Sequence, residues 1–197
     1  MPTFNKLTEA DLAVMVSKSC ILEQDSHGPK VYQLRDGNIL KLFRRKRLLS
    51  SALLRPHSVR FCRNAEKLQT LGIPTLEPMK LYRLDDSTWT AVLYRPLPGR
   101  TLSQIVREKP ALWPELKPRV SAFFQKLHHL GIYFRSLHLG NIVLTPEQAL
   151  GLIDIADLQI RRRPLSRHLI RRNKAHFENY LRKEQLQLDC EGLWPLN

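Results

Sequence analysis

Apolar and polar residues alternate, or apolar residues run together briefly, in three early segments, 20–24, 30–34 and 39–43. That period of two predicts strands. Asp25-Ser26-His27-Gly28-Pro29 joins the first pair and Arg35-Asp36-Gly37-Asn38 the second, and an Asp-Gly step between apolar runs predicts a hairpin. Before them, residues 6–18 read as a short opening helix with Thr8 as its N-cap. After them, a basic helical stretch breaks near Pro56, resumes over 58–71 and stops at Gly72-Ile73-Pro74. Segments 76–84 and 88–94 predict another hairpin around Asp85-Asp86-Ser87. The run Arg95-Pro96-Leu97-Pro98-Gly99-Arg100 cannot continue a strand and reads as a connector.

Helical spacing dominates the second half. Residues 101–107 and 113–130 predict helices, and Val120, Phe123, Phe124, Leu127 and Leu130 mark a buried face on the second. Two short apolar strands, 142–144 and 150–153, flank the turn Thr145-Pro146-Glu147-Gln148, and a basic helix follows over 165–186. The expected architecture is α+β in two lobes. Residues 1–95 carry a short helix, a five-strand antiparallel sheet and one main helix; 96–100 form a hinge; 101–197 form a helical lobe with a two-strand insert.

Composition narrows the function classes. A chain of 197 residues fits one domain, or one domain in two lobes. It contains no apolar run long enough to span a bilayer, and residues 1–15 lack a secretory pattern, so a cytoplasmic location is expected. Cys20, Cys62 and Cys190 are odd in number and far apart, which predicts reduced, buried thiols.

The net charge of +14 is unevenly spread. Residues 41–67 hold nine Lys or Arg against Glu66 alone, and residues 161–183 hold nine against Glu178 alone. Like charges clustered on two segments suit an anionic partner: a nucleotide, an anionic glycolipid or phosphorylated glycan, or the surface of an acidic membrane. A solvated surface is the plainer reading. Nucleic acid draws on the charge alone, and a helical DNA-binding module would not need so many strands.

Candidate chemistry sits at a few positions. Lys41 alternates with Leu40 and Leu42 and so points to the opposite face of its strand. Glu66, the one acid of its basic segment, could anchor that ammonium as an ion pair. Asn141 and Asp154 offer hard oxygen ligands from adjacent segments, which suits Mg²⁺ shared with phosphates. Asp157 follows as a second metal ligand, a cap or neither. Ser26-His27-Gly28-Pro29 has a single Gly and a Pro without a backbone donor, and so cannot cradle phosphates as a Gly-rich loop does.

In order and spacing, these residues resemble small bacterial kinase-like proteins related to the lipopolysaccharide-core (heptose and Kdo) kinases, including the toluene tolerance protein group. The resemblance covers about 20–180 and rests on Lys41, Glu66, the segment Leu93-Tyr94-Arg95-Pro96-Leu97-Pro98-Gly99-Arg100-Thr101-Leu102, the loop ending Leu137-His138-Leu139-Gly140-Asn141, and Ile153-Asp154-Ile155-Ala156. It implies a protein-kinase-like bilobal fold that uses ATP and Mg²⁺ to phosphorylate a sugar hydroxyl at the cytoplasmic face of the membrane. Lys41, Glu66, Leu93 and Tyr94 would serve the nucleotide, and Asn141 and Asp154 the metal. Ser136 stands where the resemblance expects the catalytic Asp, and Ile155-Ala156 where it expects Phe-Gly. A serine hydroxyl cannot act as a general base unassisted. A slow phosphotransferase and a pseudokinase scaffold therefore both follow from the same loop.

Overall fold

The structure, a computed structural model, describes residues 3–44 and 56–194. The basic segment over 45–55, read above as helical, lies outside the described residues. The chain divides into two compact units, Met1–Lys67 with Thr75–Pro96, and Leu68–Pro74 with Leu97–Asn197. Its class is α+β.

The first unit runs β1 (Phe4–Leu7), α1 (Glu9–Val16), β2 (Cys20–Asp25), β3 (Gly28–Gln33), β4 (Ile39–Arg44), α2 (His57–Thr70), β5 (Glu77–Leu84) and β6 (Trp89–Arg95), with the end of α2 belonging to the second unit. The strands form one six-stranded sheet in the order β1-β5-β6-β4-β3-β2. The sheet is antiparallel except at its edge, where β1 pairs parallel to β5. This differs from the expected five antiparallel strands and shortens the opening helix to Glu9–Val16. Thr8 does cap that helix, accepting from Asp11 N at 3.1 Å. β1 buries Leu7 alone, so four residues with one inward side chain carry no readable period.

Alternation along β4 splits its side chains between two faces. Leu40 and Leu42 pack with Leu7, Tyr82 and Ala91 under Leu12, Met15 and Val16 of α1. On the opposite face, Phe43 meets Phe61 of α2 at 5.5 Å between ring centroids, and Phe61 meets Tyr94 at 5.3 Å. Phe61, Ala65 and Leu68 are fully buried at helical spacing, which is the stripe α2 presents. Of the three thiols, Cys62 is buried as expected, but Cys20 is exposed on the edge strand β2.

The second unit continues with β7 (Arg100–Thr101), α3 (Leu102–Glu108), α4 (Trp113–His129), β8 (Ile132–Tyr133), β9 (Ile142–Leu144), β10 (Leu150–Leu152), β11 (Gln159–Ile160) and α5 (Arg167–Lys183). Thr101 and Gln104 close a capping box at the start of α3. β9 and β10 form a hairpin with β7 on its outer edge, while β8 and β11 pair separately. The predicted face of α4 is buried at Val120, Phe123, Phe124 and Leu127. Gly151 allows a close backbone approach: Leu152 N donates to Pro74 O at 2.9 Å, and a Cβ on Gly151 would lie 2.5 Å from that oxygen.

His128 lies in the last turn of α4. A histidine there commonly serves the helix end as a cation, but this ring is buried and stacks on Trp194 with centroids 5.8 Å apart. Burial pulls its pKa from 6.5 down to about 4, so it is neutral at physiological pH. Above pH 6.5 neither folded nor unfolded state protonates this ring. Between 6.5 and 4 only the unfolded state does, so stability falls with falling pH. The loss reaches up to about 3 kcal/mol near pH 4. Urea midpoints from pH 7 to 4 should therefore fall more steeply for wild type than for His128→Leu; parallel slopes would refute the assignment.

Candidate functional site

The loop from Phe134 to Asn141 leaves the short strand β8 and enters β9 through a 3₁₀ turn, Leu139–Asn141. Phe134, Leu137 and Leu139 are buried and hold the loop down, whereas Arg135 is exposed and Ser136 and His138 are half-buried. The backbone bonds Leu137 N to Phe134 O at 3.1 Å and Asn141 N to His138 O at 2.9 Å pin the two turns between them.

Asn141 is buried and its amide orientation is determined by its partners. Nδ2 donates to Ser136 O at 3.0 Å and lies 3.2 Å from His138 Nε2. Because an amide nitrogen only donates, His138 Nε2 is the acceptor and the ring proton belongs on Nδ1. An amide held by its nitrogen presents its oxygen as a hard acceptor. The His138 ring stacks on Tyr180 of α5, with centroids 4.0 Å apart and planes within 5°. Burial lowers its pKa, against the opposing charges of Asp154 and Glu184. His138 is thus a structural partner of Asn141.

The β9–β10 hairpin brings the second arm alongside. Ile153 N donates to Asn141 O at 3.0 Å, placing Asp154 one residue beyond that bond. Asp154 is exposed, with left-handed backbone angles of φ 51° and ψ 44°. Asp tolerates that region better than most side chains, but it still costs of order 1 kcal/mol. Beyond it, the 3₁₀ turn Ile155–Asp157 returns Asp157 toward the loop. Ser136 Oγ donates to Asp157 Oδ2 at 2.9 Å. The position that lacks a carboxylate in sequence therefore touches one in space.

Asp157 Oδ1 is enclosed and takes no hydrogen bond among the described residues. Burial raises the Asp157 pKa and the charge of Asp154 adds to it, while the Ser136 bond and Arg135 oppose them. Among the described residues, no group of three or more His, Cys, Asp or Glu side chains is placed to hold a metal.

The remaining expected residues lie in the first unit. Lys41, half-buried, shares the α2-covered face of β4 with Phe43, and its ammonium is 5.9 Å from the Phe43 ring centroid. Glu66 is exposed on α2, one turn after Cys62, whose thiol is pushed up to about 11 by burial and then by the Glu66 charge. Tyr94 lies against Phe61 on the face that carries Lys41. Leu93 packs instead with the cluster beneath α1, so its side chain faces away from Lys41. In the β2–β3 turn, Gly28 has φ 102° and His27 N donates to Asp25 Oδ1 at 2.8 Å, a self-contained hairpin turn.

Two contacts of α5 with the loop add to the residues expected from the sequence. Asn173 of α5 is fully buried and donates from Nδ2 to Phe134 O at 2.5 Å, and Tyr180 covers His138. The signal was present: Asn173, Phe177, Tyr180 and Leu181 recur at helical spacing inside a helix that otherwise reads as basic. No protein-family model matches the chain, and no curated protein matches it.

Proposed function

We propose that this chain is a protein-kinase-like phosphotransferase that uses ATP and Mg²⁺ on a hydroxyl of an anionic, membrane-associated substrate, a lipopolysaccharide-core sugar by resemblance. The observation that carries the reading is the pairing of Asn141 and Asp154. A backbone bond at 3.0 Å joins the loop of one to the strand leading to the other, and the Asn141 amide is fixed through its nitrogen. An amide oxygen and a carboxylate form a hard donor set too small for an all-protein cage, and Mg²⁺ typically completes such a set with water and nucleotide phosphates.

In this reading Asn141 and Asp154 hold the metal, which would neutralise charge on the phosphates. Lys41 would meet the phosphates and Glu66 orient its ammonium. The segment through Leu93 and Tyr94 would border the base, Leu93 through its backbone and Tyr94 through its ring. The exposed cations of α5, Arg167, Arg171, Arg172, Arg182 and Lys183, suit an anionic acceptor or the acidic surface that carries it. No helix among the described residues is long and apolar enough to cross a membrane, so contact of this kind would be peripheral.

Calorimetric titration with ATP tests the reading directly. Binding should require Mg²⁺, and Mg-ATP at a hundred times its Kd should raise Tm by about 5–10 °C. No heat and no shift with Mg-ATP would overturn it. Binding without any ADP release would instead identify a pseudokinase, the alternative that Ser136 raises.

A further inference from the structure

Resting on that reading, we propose that Asp157 supplies, through Ser136, the carboxylate that position 136 itself lacks. The Ser136 hydroxyl proton is committed to Asp157 Oδ2 at 2.9 Å, which leaves the oxygen lone pairs of Ser136 to accept from something else. Ser136 is only half-buried, while its carbonyl is fixed by Asn141 Nδ2 at 3.0 Å. Asp157 is held on the 3₁₀ turn that follows Asp154, and its other oxygen is enclosed, so Oδ2 is the working face. The same loop that positions a metal ligand thus positions a hydroxyl–carboxylate pair beside it.

The step balances with ATP as substrate. The acceptor hydroxyl transfers its proton to Ser136 Oγ while the Ser136 proton passes to Asp157 Oδ2. The electron pair left on the acceptor oxygen forms the new bond to the γ-phosphorus. The bond from that phosphorus to the β,γ-bridging oxygen breaks, its electron pair leaving on ADP. Asp157 is then neutral, and its proton returns through Ser136 to water as product departs. Burial makes Asp157 a better proton acceptor than an exposed aspartate.

A purely structural turn bond would give the same hydrogen bond, and a carboxylate exchange separates the two. Mg-ATP with water as acceptor is the probe, with ADP release and calorimetric Kd as readouts. Asp157→Asn should slow release by about 10²–10⁴-fold, the range for loss of a general base, with Kd for Mg-ATP held within about 3-fold. Ser136→Asp alone should not raise the rate, because it sets two carboxyl groups side by side. The exchange variant Ser136→Asp/Asp157→Ser should recover at least about 10-fold over Asp157→Asn. In nucleotide-free protein, Ser136→Ala and Asp157→Ala should shift the urea midpoint non-additively, because each removes the one shared bond. Additive midpoints, Asp157→Asn turnover within about 3-fold of wild type, an exchange variant no better than Asp157→Asn, or wild-type binding without turnover would each overturn the inference. Failure of the wild type to bind Mg-ATP would show first in the calorimeter and would overturn the proposed function itself.

Discussion

Asp154→Gly should relieve backbone strain and abolish Mg²⁺-dependent ATP binding in a single substitution. The first effect arises in the left-handed backbone at φ 51° and ψ 44°, the second in the lost carboxylate. A glycine enters that region without a Cβ penalty, so relief of strain, less the added freedom of the unfolded chain, should contribute up to about 1 kcal/mol toward the folded state. The carboxylate lost with it is the charged member of the proposed Asn141–Asp154 pair. Loss of a residue that merely supports a ligand costs about 10–100-fold in metal affinity, so loss of the ligand itself should cost at least that. ATP should then bind equally weakly with and without Mg²⁺. Asp154→Asn separates the terms, since Asn also tolerates the left-handed region while lacking the charge. It should keep the wild-type backbone and match Asp154→Gly in calorimetry. Undiminished Mg²⁺-dependent ATP binding in Asp154→Asn would remove the metal from the proposal.

Strained aspartates of this kind are hard to read from sequence, because nothing in Ile153-Asp154-Ile155 announces a positive φ. What was legible followed from local periodicity and turn chemistry. β2, β3 and β4 emerge from alternation and the Asp36-Gly37 step, and α4 from its apolar spacing. β1 escaped because its pairing with β5 is distant in sequence and rests on one buried side chain, Leu7.

The Ser136–Asp157 bond escaped for a different reason, yet its signal was there. The β9–β10 register pairs Ile142 with Leu152. Extending it outward by equal counts on each strand brings 136 opposite 158, beside Asp157. Reading Ser136 alone as a missing carboxylate treated the motif as linear. The hairpin makes it a three-dimensional one, in which an acid on the far arm faces the substituted position. Whether that acid takes part in chemistry is what the carboxylate exchange decides.

The loop also depends on α5, and Asn173 is the residue through which that dependence can be measured. Its side chain is fully buried, and Nδ2 donates at 2.5 Å to the carbonyl of Phe134, two residues before Ser136. Asn173→Ala should leave that carbonyl buried without a donor, at about 1–3 kcal/mol, with a small cavity in addition. Asn173→Leu restores volume but not the donor, so it should recover only the cavity part. Asn173→Asp carries the sharper expectation. An ionised carboxylate would face a carbonyl oxygen in a buried site, which should cost more than about 3 kcal/mol at neutral pH. Once protonated, the introduced carboxyl could donate to the same oxygen, so the folded state would raise the pKa of the new group. A raised folded pKa makes the contribution fully present below the unfolded pKa and lost as pH rises through the folded value. Asn173→Asp should therefore regain stability relative to wild type between pH 7 and pH 4, while Asn173→Ala should show no such recovery. Because the same bond holds the backbone leading to Ser136, these variants should also weaken the Ser136–Asp157 coupling seen in urea midpoints. Wild-type stability in Asn173→Asp at pH 7 would mean that α5 does not clamp the loop, and its buried face would then serve only the aromatic packing of Phe177 on Phe124 and Trp194.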